Sequence, residues 1–358
     1  MREEYTTAST RIAVLVPAHN EEEVIDRSLA WAIRDTGREN VYLVADGCTD
    51  ETVRFASYWI GEEHIYETDR MGRGPALLEA MRHFGLLDRY DGIFMADADS
   101  LIMPGSMEQY RASLESDVGA VIGHMLVLEE QSNLYACWRR YQYFWGFNLI
   151  VRAAGVYRGC FQNTPGCCTV YSSAALKRIE HDPYNPAEDM DFCYQIHRKS
   201  LGRIVWNPNA WVQTADPLTL ADYRRQVIRW GRGWWYNIRK HRMGLRFKAV
   251  DLLVGYVTLT QTANWLRAIV VAVLGLWWLG GGGATWLLKA LAASYLLDFS
   301  VIGAISVVAA VRRKWDVVKW LPLYPVMVFV DLAFYGYAFL TQRRGLSAVW
   351  TSPVRERR

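Results

Sequence analysis

Several patterns that define common protein classes are missing from this 358-residue sequence. The six cysteines contain no C-x-x-C pair, so neither a zinc site nor a disulfide framework is indicated, and a reduced cytosolic location fits. A G-x-x-x-x-G-K-[ST] segment is also absent, which argues against a P-loop nucleotide-binding protein. The formal net charge is only +3, which argues against a strongly basic nucleic-acid-binding protein.

The first residues also lack the features of a secretory signal peptide. The stretch MREEYTTASTR is polar and acidic, and it has neither a basic start nor an apolar core. We therefore expect the domain that follows this stretch to stay in the cytoplasm.

The sequence that follows divides into two parts of different texture. From Arg11 to about Ala215, short apolar runs alternate with amphipathic stretches, in the order IAVLVPA, EEVIDRSLAWAIRDT, NVYLVADG and TDETVRFASYWI. This alternation predicts an α/β domain with a mostly parallel sheet and right-handed crossovers. After Lys248 the chain becomes apolar, and many of the 16 tryptophans lie near apolar runs, as in proteins that meet a bilayer.

The apolar part contains three candidate membrane spans, at 249–280, 284–311 and 321–341, each long enough to cross a hydrocarbon core of about 30 Å. The predicted organisation is a cytosolic domain at 1–215, interfacial amphipathic helices at 216–248, a membrane region with about three spans at 249–341, and a basic cytosolic tail at 342–358. Three simple crossings cannot place every basic cluster on the cytoplasmic side. Either one segment is re-entrant or interfacial, which we favour, or the tail lies outside.

Polar side chains follow three of the predicted strands, at the points where the strands end. PAHNEEE follows the first strand, ADGCTDET with Asp46 and Asp50 follows the second, and ADADS with Asp97 and Asp99 follows a third. Ligands of an open parallel sheet bind beyond the carboxyl ends of its strands, so we expect these groups at one edge. Each segment alone is explained by helix caps and turns, but the three together favour a binding site.

The DAD segment predicts a metal site. Asp97 and Asp99 are alternate residues of an extended segment, so their carboxylates face the same way and can share a cation. Mg²⁺ and Mn²⁺ prefer such oxygen ligands and are usually shared with substrate phosphates, which predicts a metal-bound diphosphate. Arg70 and Arg73 stand among glycines before a helix and would add positive charge there, although an ordinary basic loop explains them equally well.

Two later segments extend the predicted site. Glu188 and Asp189 begin a predicted helix, where acids suit the helix dipole but can also act as a general base for a sugar hydroxyl. In a helix, Gln226, Arg229 and Trp230 of QVIRW share one face, which could hold a diphosphate beside a stacked sugar ring. A tryptophan-rich belt at a membrane interface is the alternative interpretation of QVIRW.

These motifs, in this order, resemble the inverting nucleotide-sugar transferases of glycosyltransferase family 2, in the membrane-embedded branch that includes cellulose, hyaluronan and poly-N-acetylglucosamine synthases. The resemblance runs from about Ile12 to Trp235 and rests on PAHNEE, DGCTDE, DAD, AED and QVIRW, the last as a QxxRW signature. It implies a GT-A-like α/β domain with a mostly parallel sheet, followed by transmembrane helices. It also implies a metal-dependent inverting hexosyltransferase that uses Mg²⁺ or Mn²⁺.

The resemblance further implies roles for individual residues. Asp189 is expected to be the catalytic base, with Glu188 beside it, and Asp99 is expected to bind the metal ion. The acceptor sugar is expected at Trp230 and at the loop that contains Gly166 and Cys167. The nucleotide sugar is expected to contact the following residues: Pro17, Ala18, Glu21, Asp46, Arg73, Asp97, Gln226 and Arg229. The tail AVWTSPVRERR resembles that of poly-N-acetylglucosamine synthases and would supply Trp350 and Arg355 as lid residues.

The implied reaction takes a sugar from a UDP-sugar, with UDP-GlcNAc or UDP-glucose favoured, to the hydroxyl of a growing β-linked polysaccharide. It would occur on the cytoplasmic face of the cytoplasmic membrane. Polymerising relatives usually carry membrane helices before the catalytic domain as well. About three spans in one chain make a translocation channel questionable, so the protein would oligomerise, use a partner protein or transfer only a few sugars. The alternatives are transfer of one sugar to a polyprenyl phosphate or another lipid, and a catalytically inactive membrane scaffold.

Overall fold

The apolar runs of the first part form the strands of a mixed sheet. The computed structural model describes residues 10–156, 159–246, 248–312 and 324–342. Within these residues the sheet has eight strands, which are Ile12–Ala18 (β1), Val41–Asp46 (β2), Ile65–Thr68 (β3), Gly92–Met95 (β4), Leu101–Ile102 (β5), Val118–Val127 (β6), Thr169–Ser172 (β7) and Arg203–Thr214 (β8).

The strand order is β3-β2-β1-β4-β7-β6-β8-β5. β1 pairs in parallel with β2 and β4, and β2 pairs in parallel with β3. The direction changes at β7, which is antiparallel to both β4 and β6. Every residue of β1 and β2 is buried, as expected of central parallel strands covered on both faces. The carboxyl ends of β1, β2 and β4 therefore lie at one edge, and the predicted GT-A-like α/β class is confirmed.

Helices cover the sheet and then lead into the apolar part. Their bounds are Ile25–Thr36 (α1), Thr52–Ile60 (α2), Arg73–His83 (α3), Leu86–Arg89 (α4), Ser106–Ser113 (α5), Leu134–Trp145 (α6), Arg152–Val156 (α7), Ser173–Leu176 (α8), Glu188–Lys199 (α9), Leu220–Lys240 (α10), Ala249–Leu279 (α11), Thr285–Val311 (α12) and Tyr324–Thr341 (α13). A π-helical segment, Gly146–Val151, joins α6 to α7. The helix predicted at Glu188 and Asp189 thus begins where the acids are.

Two glycines allow α10 to pack closely between two neighbours. A Cβ on Gly231 would lie 2.8 Å from the Cβ of Ala338 in α13, and a Cβ on Gly233 would overlap the Cβ of Ala187, directly before α9. Carbon atoms do not approach so closely in a packed interior, so a side chain at either position would push the elements apart. The glycines of RWGRGWW therefore set the distance from α10 to the start of α9 and to α13.

A buried ion pair joins α9 to the beginning of α11. The two guanidinium nitrogens of Arg198 donate to the two carboxylate oxygens of Asp251, at 2.8 Å and 2.6 Å. The backbone N–H groups of Gly244 and Lys248 donate to the same carboxylate, at 2.7 Å and 3.1 Å. A buried charge pair of this kind is stable only when its remaining hydrogen-bonding groups are satisfied, as they are here. The far end of α9 is thereby fixed to the first long apolar helix.

Among the helices that the structure describes, one helix of the apolar part has the length and hydropathy of a membrane span. Ala249–Leu279 is long and apolar enough to cross a membrane by length and composition, whereas the apolar helix Val326–Thr341 is shorter. Large side chains of α11 point away from the rest of the protein, and Leu252, Leu259 and Leu276 are each at least 66% exposed. The count of three spans and the division into four segments stay predictions. Residues 313–323 and the tail from 343, with Trp350 and Arg355, lie outside the described residues.

Candidate active site

A cavity of about 450 Å³ opens between the carboxyl edge of the sheet and α10. Its walls come from the DAD segment, the loop before β7, the start of α9, one face of α10, and the facing parts of α11 and α13. The sequence-predicted site residues that line it are Arg73, Asp97, Asp99, Gly166, Cys167, Glu188, Asp189, Gln226, Arg229 and Trp230. The fold therefore brings the DAD, AED and QVIRW motifs to one place.

Arg73 lies where three of these segments meet. Its Nη2 donates to Asp97 Oδ1 at 2.8 Å and to the carbonyl oxygen of Gly166 at 3.3 Å, and its Nη1 donates a hydrogen bond to the carboxylate of Glu188. The side chain is only 10% exposed. In this arrangement Arg73 neutralises two carboxylates and holds the loop that contains Gly166. Its expected contact with the nucleotide sugar stays a prediction.

Among the described residues, Asp189 is held by backbone donors and forms no ion pair. Its Oδ2 accepts from the N–H of Gly166 at 3.1 Å, and its Oδ1 accepts from the N–H of Met190 at 2.8 Å. Burial raises the pKa of Asp189, while the positive charges of Arg73 and Arg229 oppose that increase. A cavity-lining carboxylate with a raised pKa is suited to accept a proton. Asp189 fits this role better than Glu188, because Glu188 is paired with Arg73.

Gln226, Arg229 and Trp230 of QVIRW line the cavity from α10. Burial lowers the pKa of Arg229, and the carboxylates of Asp189 and Asp97 oppose that decrease. Gln226 Oε1 accepts from Arg139 Nη2 at 2.6 Å, and the Arg139 guanidinium lies 4.4 Å from the ring centre of Trp230. Sequence reasoning missed Arg139. It belongs to CWRRYQYFW, whose mixture of basic and aromatic residues is like that around QVIRW, but no motif marks it.

The carboxylates of the DAD segment fit the predicted divalent ion. Asp97 and Asp99 both line the cavity, and Oδ1 of Asp97 accepts a hydrogen bond from Arg73. In the part of the chain that the structure describes, no group of three or more His, Cys, Asp or Glu side chains could hold a metal ion. Two carboxylates completed by diphosphate oxygens are a usual environment for Mg²⁺. The residues present therefore suit an ion that is shared with the substrate rather than enclosed by protein.

Asp46 lies outside this cavity, at the end of β2, and organises a loop. Its carboxylate accepts from the N–H groups of Met71 and Gly72, at 2.7 Å and 2.9 Å, and from Arg70 Nη1 at 3.0 Å. It is only 2% exposed. Asp46 thus fixes the RMG loop that leads to Arg73. A contact between Asp46 and a nucleotide stays a prediction.

The remaining predicted nucleotide-binding residues are also buried away from the cavity. Pro17 and Ala18 are the last two residues of β1, and Glu21 is only 1% exposed. The N–H of Glu21 donates to Thr52 Oγ1 at 2.8 Å, which joins the end of β1 to α2. These residues shape the edge of the sheet where β1 ends, and their contact with a nucleotide stays a prediction.

The cavity extends beyond Trp230 between α10, α11 and α13. The cavity-lining residues that sequence reasoning did not single out include Gln162 and Asn163 of the loop before β7, and, on the helices, Trp234, Trp235, Gln261, Trp265 and Tyr335. Trp265 Nε1 donates to the carbonyl oxygen of Leu332 at 3.2 Å, which fixes that ring. Among the described residues, no group donates to the side-chain oxygen of Gln162 or Asn163. The abundance of tryptophan was the one sequence signal for this extension.

The fold and the cavity define a GT-A-like glycosyltransferase, the class of enzymes that move a sugar from a nucleotide donor. Residues 10–233 match the model of the family described as glycosyltransferase-like family 2, and the chain belongs to that family.

Relatives and solved structures are consistent with this membership. The chain is 24% identical over 356 residues to an N-acetylglucosaminyltransferase of Rhizobium meliloti (strain 1021), covering 92% of this chain and 79% of that protein. It is 23% identical over 239 residues to hyaluronan synthase of Streptococcus pyogenes, covering 62% of this chain and 56% of that protein. The fold is similar to that of a mannosyltransferase from Pyrobaculum calidifontis solved with GDP-Man and Mn²⁺, with a TM-score of 0.59, 17% identity, and 94% and 89% of the two chains covered.

Proposed function

We propose that this protein is a membrane-bound inverting glycosyltransferase that adds a hexose from a UDP-sugar to a hydroxyl of a β-linked glycan. The observation that carries the proposal is the shared cavity. Asp97 and Asp99, the carboxylate of Asp189 and the indole of Trp230 line the same space, which then continues along further tryptophans. A donor diphosphate, a base and a stacking surface for a sugar ring are what such a transfer needs.

The proposed reaction is a single displacement. Asp189 accepts the proton of the acceptor hydroxyl while that oxygen forms a bond to the anomeric carbon. The bond from this carbon to the diphosphate oxygen breaks, and the diphosphate leaves with the electron pair. Arg229 stabilises the negative charge of the leaving group, and Trp230 holds the acceptor ring. Attack from the side opposite the leaving group turns an α-linked donor into a β-glycoside.

Asp99, with Asp97 beside it, would hold Mg²⁺ or Mn²⁺. The ion would neutralise charge on the leaving diphosphate. An Asp99→Asn variant should therefore need a higher Mn²⁺ concentration for half-maximal binding of UDP, which calorimetric titration measures without any turnover.

The expected donor is UDP-GlcNAc or UDP-glucose. A relative named N-acetylglucosaminyltransferase, which aligns with 92% of this chain, supports the first of these. The similarity to a mannosyltransferase bound to GDP-Man concerns the fold alone, so GDP-sugars belong in the test panel as competitors.

The membrane location rests on α11. Its exposed leucines form a surface that a bilayer would cover, and Ala249–Leu279 has the length to cross it. We place the catalytic domain on the cytoplasmic side, where nucleotide sugars are made.

The test is nucleoside diphosphate release by the detergent-purified protein, with UDP- and GDP-sugars, Mg²⁺ or Mn²⁺, and sizing of the glycan product. Release with one UDP-sugar and formation of a β-linked glycan is the expected result. If no sugar nucleotide of the panel gives nucleoside diphosphate release, with or without added acceptors, the proposal is overturned and an inactive scaffold is favoured.

A lipid acceptor is the second candidate. The far end of the cavity is lined by Val257 and Trp265 of α11 and by Tyr335 of α13, which an isoprenoid chain could also contact. If release requires a polyprenyl phosphate and the product carries one sugar, the protein performs a single transfer.

A further inference from the structure

The guanidinium of Arg139 lies between two aromatic rings beneath the QVIRW motif. Its carbon atom is 4.7 Å from the ring centre of Tyr223 and 4.4 Å from that of Trp230. The residue is 3% exposed, and its Nε lies 3.7 Å from Asp216 Oδ1. A buried arginine is costly unless charge and hydrogen-bond partners surround it, so this environment fixes the group in one position.

Arg139 also determines which end of the Gln226 amide is available to a ligand. Arginine has only donors, so the group that faces Arg139 Nη2 at 2.6 Å must be the amide oxygen. The Nε2 of Gln226 then remains as the free end, and among the described residues no group accepts a hydrogen bond from it. A donor is the group that suits a phosphate oxygen or a sugar hydroxyl oxygen in the cavity.

The last described helix holds the surroundings of Arg139 in place. Asp331 of α13 accepts hydrogen bonds from Trp138 Nε1 at 3.1 Å and from Gln142 Nε2 at 3.0 Å. The hydroxyl of Tyr223 also donates a hydrogen bond to Asp331. Trp138 and Gln142 are on the same helix as Arg139, and Gln142 also accepts a hydrogen bond from Arg139. A carboxylate in an apolar helix is costly without partners, and here all of its described partners lie around Arg139.

We propose that Arg139 is a positioning residue for acceptor recognition, which orients Gln226 and Trp230, and that Asp331 makes this orientation depend on α13. The proposal rests on the proposed function of the cavity. It adds that an apolar helix outside the GT-A-like sheet sets the geometry of the acceptor floor.

The test compares full-length Arg139→Lys with wild type. Lysine keeps the charge but has neither the planar surface between the rings nor the forked donors. The probe is a β-linked N-acetylglucosamine tetramer, whose binding is measured by calorimetry with UDP present and whose KM is measured in turnover with UDP-GlcNAc. We expect the Kd and KM of the tetramer to rise about 10-fold, the size of a lost charged hydrogen bond, whereas the Kd of UDP, to which Gln226 is also expected to contribute, should rise by a smaller factor of about two to three.

Arg140→Lys is the matched control. Arg140 is on the same helix, but its Nη2 donates to the carbonyl oxygens of Leu128 and Glu129, at 2.9 Å and 3.0 Å. This variant should leave tetramer binding unchanged. Equal effects of Arg139→Lys and Arg140→Lys, or equal losses of tetramer and UDP binding in Arg139→Lys, would overturn the inference.

Tyr223→Phe gives a second test that keeps the packing. It retains the ring against Arg139 and removes only the hydroxyl bonded to Asp331, so tetramer binding should weaken in the same direction by a few fold. Unchanged tetramer binding would show that Asp331 and α13 do not influence the orientation of Gln226 and Trp230. Because the calorimetric measurement needs no turnover, wild-type protein that binds the tetramer but releases no UDP would count against the proposed function and not against the role of Arg139.

Discussion

Two parts of the proposed site are built in different ways: the segments that follow β1, β2 and β4, called here the donor edge, and the cavity wall around Gly166 and Trp230, called the acceptor wall. At the donor edge, Asp46 and Glu21 are buried, and their bonds join the ends of neighbouring parallel strands to the adjacent loop and helix. The acceptor wall is open, and it combines the loop at Gly166 with α9, α10 and the apolar helices. The difference indicates that the donor edge belongs to the sheet itself, whereas the acceptor wall depends on packing between separate segments.

The strongest test of the comparison is Asp189→Asn, at the point where the two regions meet. The amide keeps the approximate shape of the side chain but cannot accept the hydroxyl proton. We expect kcat to fall about 1,000-fold, within the range for loss of a general base, with UDP binding retained. Single-turnover kinetics and UDP titration check this. Turnover close to that of wild type would require another base, with Glu188 as the first candidate.

Trp230→Ala should damage the acceptor side alone. Removal of the indole takes away the surface on which the acceptor ring stacks and the ring against Arg139, so acceptor KM should rise roughly 10- to 100-fold, as for loss of 1.4 to 3 kcal/mol of binding. The KM for the donor should stay within about twofold. Trp31→Ala is the control, because Trp31 packs against Arg34 on α1, away from the cavity. Equal increases in both KM values would contradict the separation of the two regions.

Asp46→Asn should have the opposite selectivity. An amide has one acceptor oxygen where the carboxylate has two, so at least one bond from Met71, Gly72 or Arg70 is lost and the RMG loop loosens. We expect the donor KM to rise about 10-fold with little change in acceptor KM. Initial-rate measurements with each substrate varied in turn decide this. A larger effect on the acceptor than on the donor would mean that the regions are not separate.

Gly233→Ala tests the packing that the acceptor wall requires. The new methyl group would overlap Ala187, directly before Glu188 and Asp189, so we expect destabilisation by about 1–3 kcal/mol and a lower kcat. Gly255→Ala is the matched control, since a Cβ on this helical glycine meets nothing within 4 Å. Thermal unfolding of both variants in the same detergent gives the comparison. Equal melting temperatures would show that α10 can move away from Ala187 freely.

The pH dependence of activity gives the smallest expected effect. Asp189 must be ionised to act as a base, and burial raises its pKa, so activity should be lost as the pH falls through that raised value. The acidic limb of kcat/KM should therefore lie above the value of about 3.9 for an ordinary aspartate. Initial rates in buffers of constant ionic strength measure the limb. A limb at or below the ordinary value would contradict a raised pKa at the base.

Much of the donor edge follows from the sequence. Alternating apolar runs place β1, β2 and β4 side by side, and the polar segments after them must then lie at one edge of the sheet. The start of α9 at Glu188 was also predictable, because acids prefer the first turn of a helix. Short motifs with local geometry therefore indicated the class of chemistry.

The tertiary structure alone decided how the acceptor wall is made. No local pattern relates Arg139 to Gln226, or Asp331 to Tyr223, because these bonds join segments far apart in the chain. Nor could spacing foresee that Arg73 would be enclosed by Asp97 and Glu188. Periodicity and capping act over a few residues, and they determine which strands and helices form. The orientation of a buried side chain depends on which charges and rings surround it once those elements have packed.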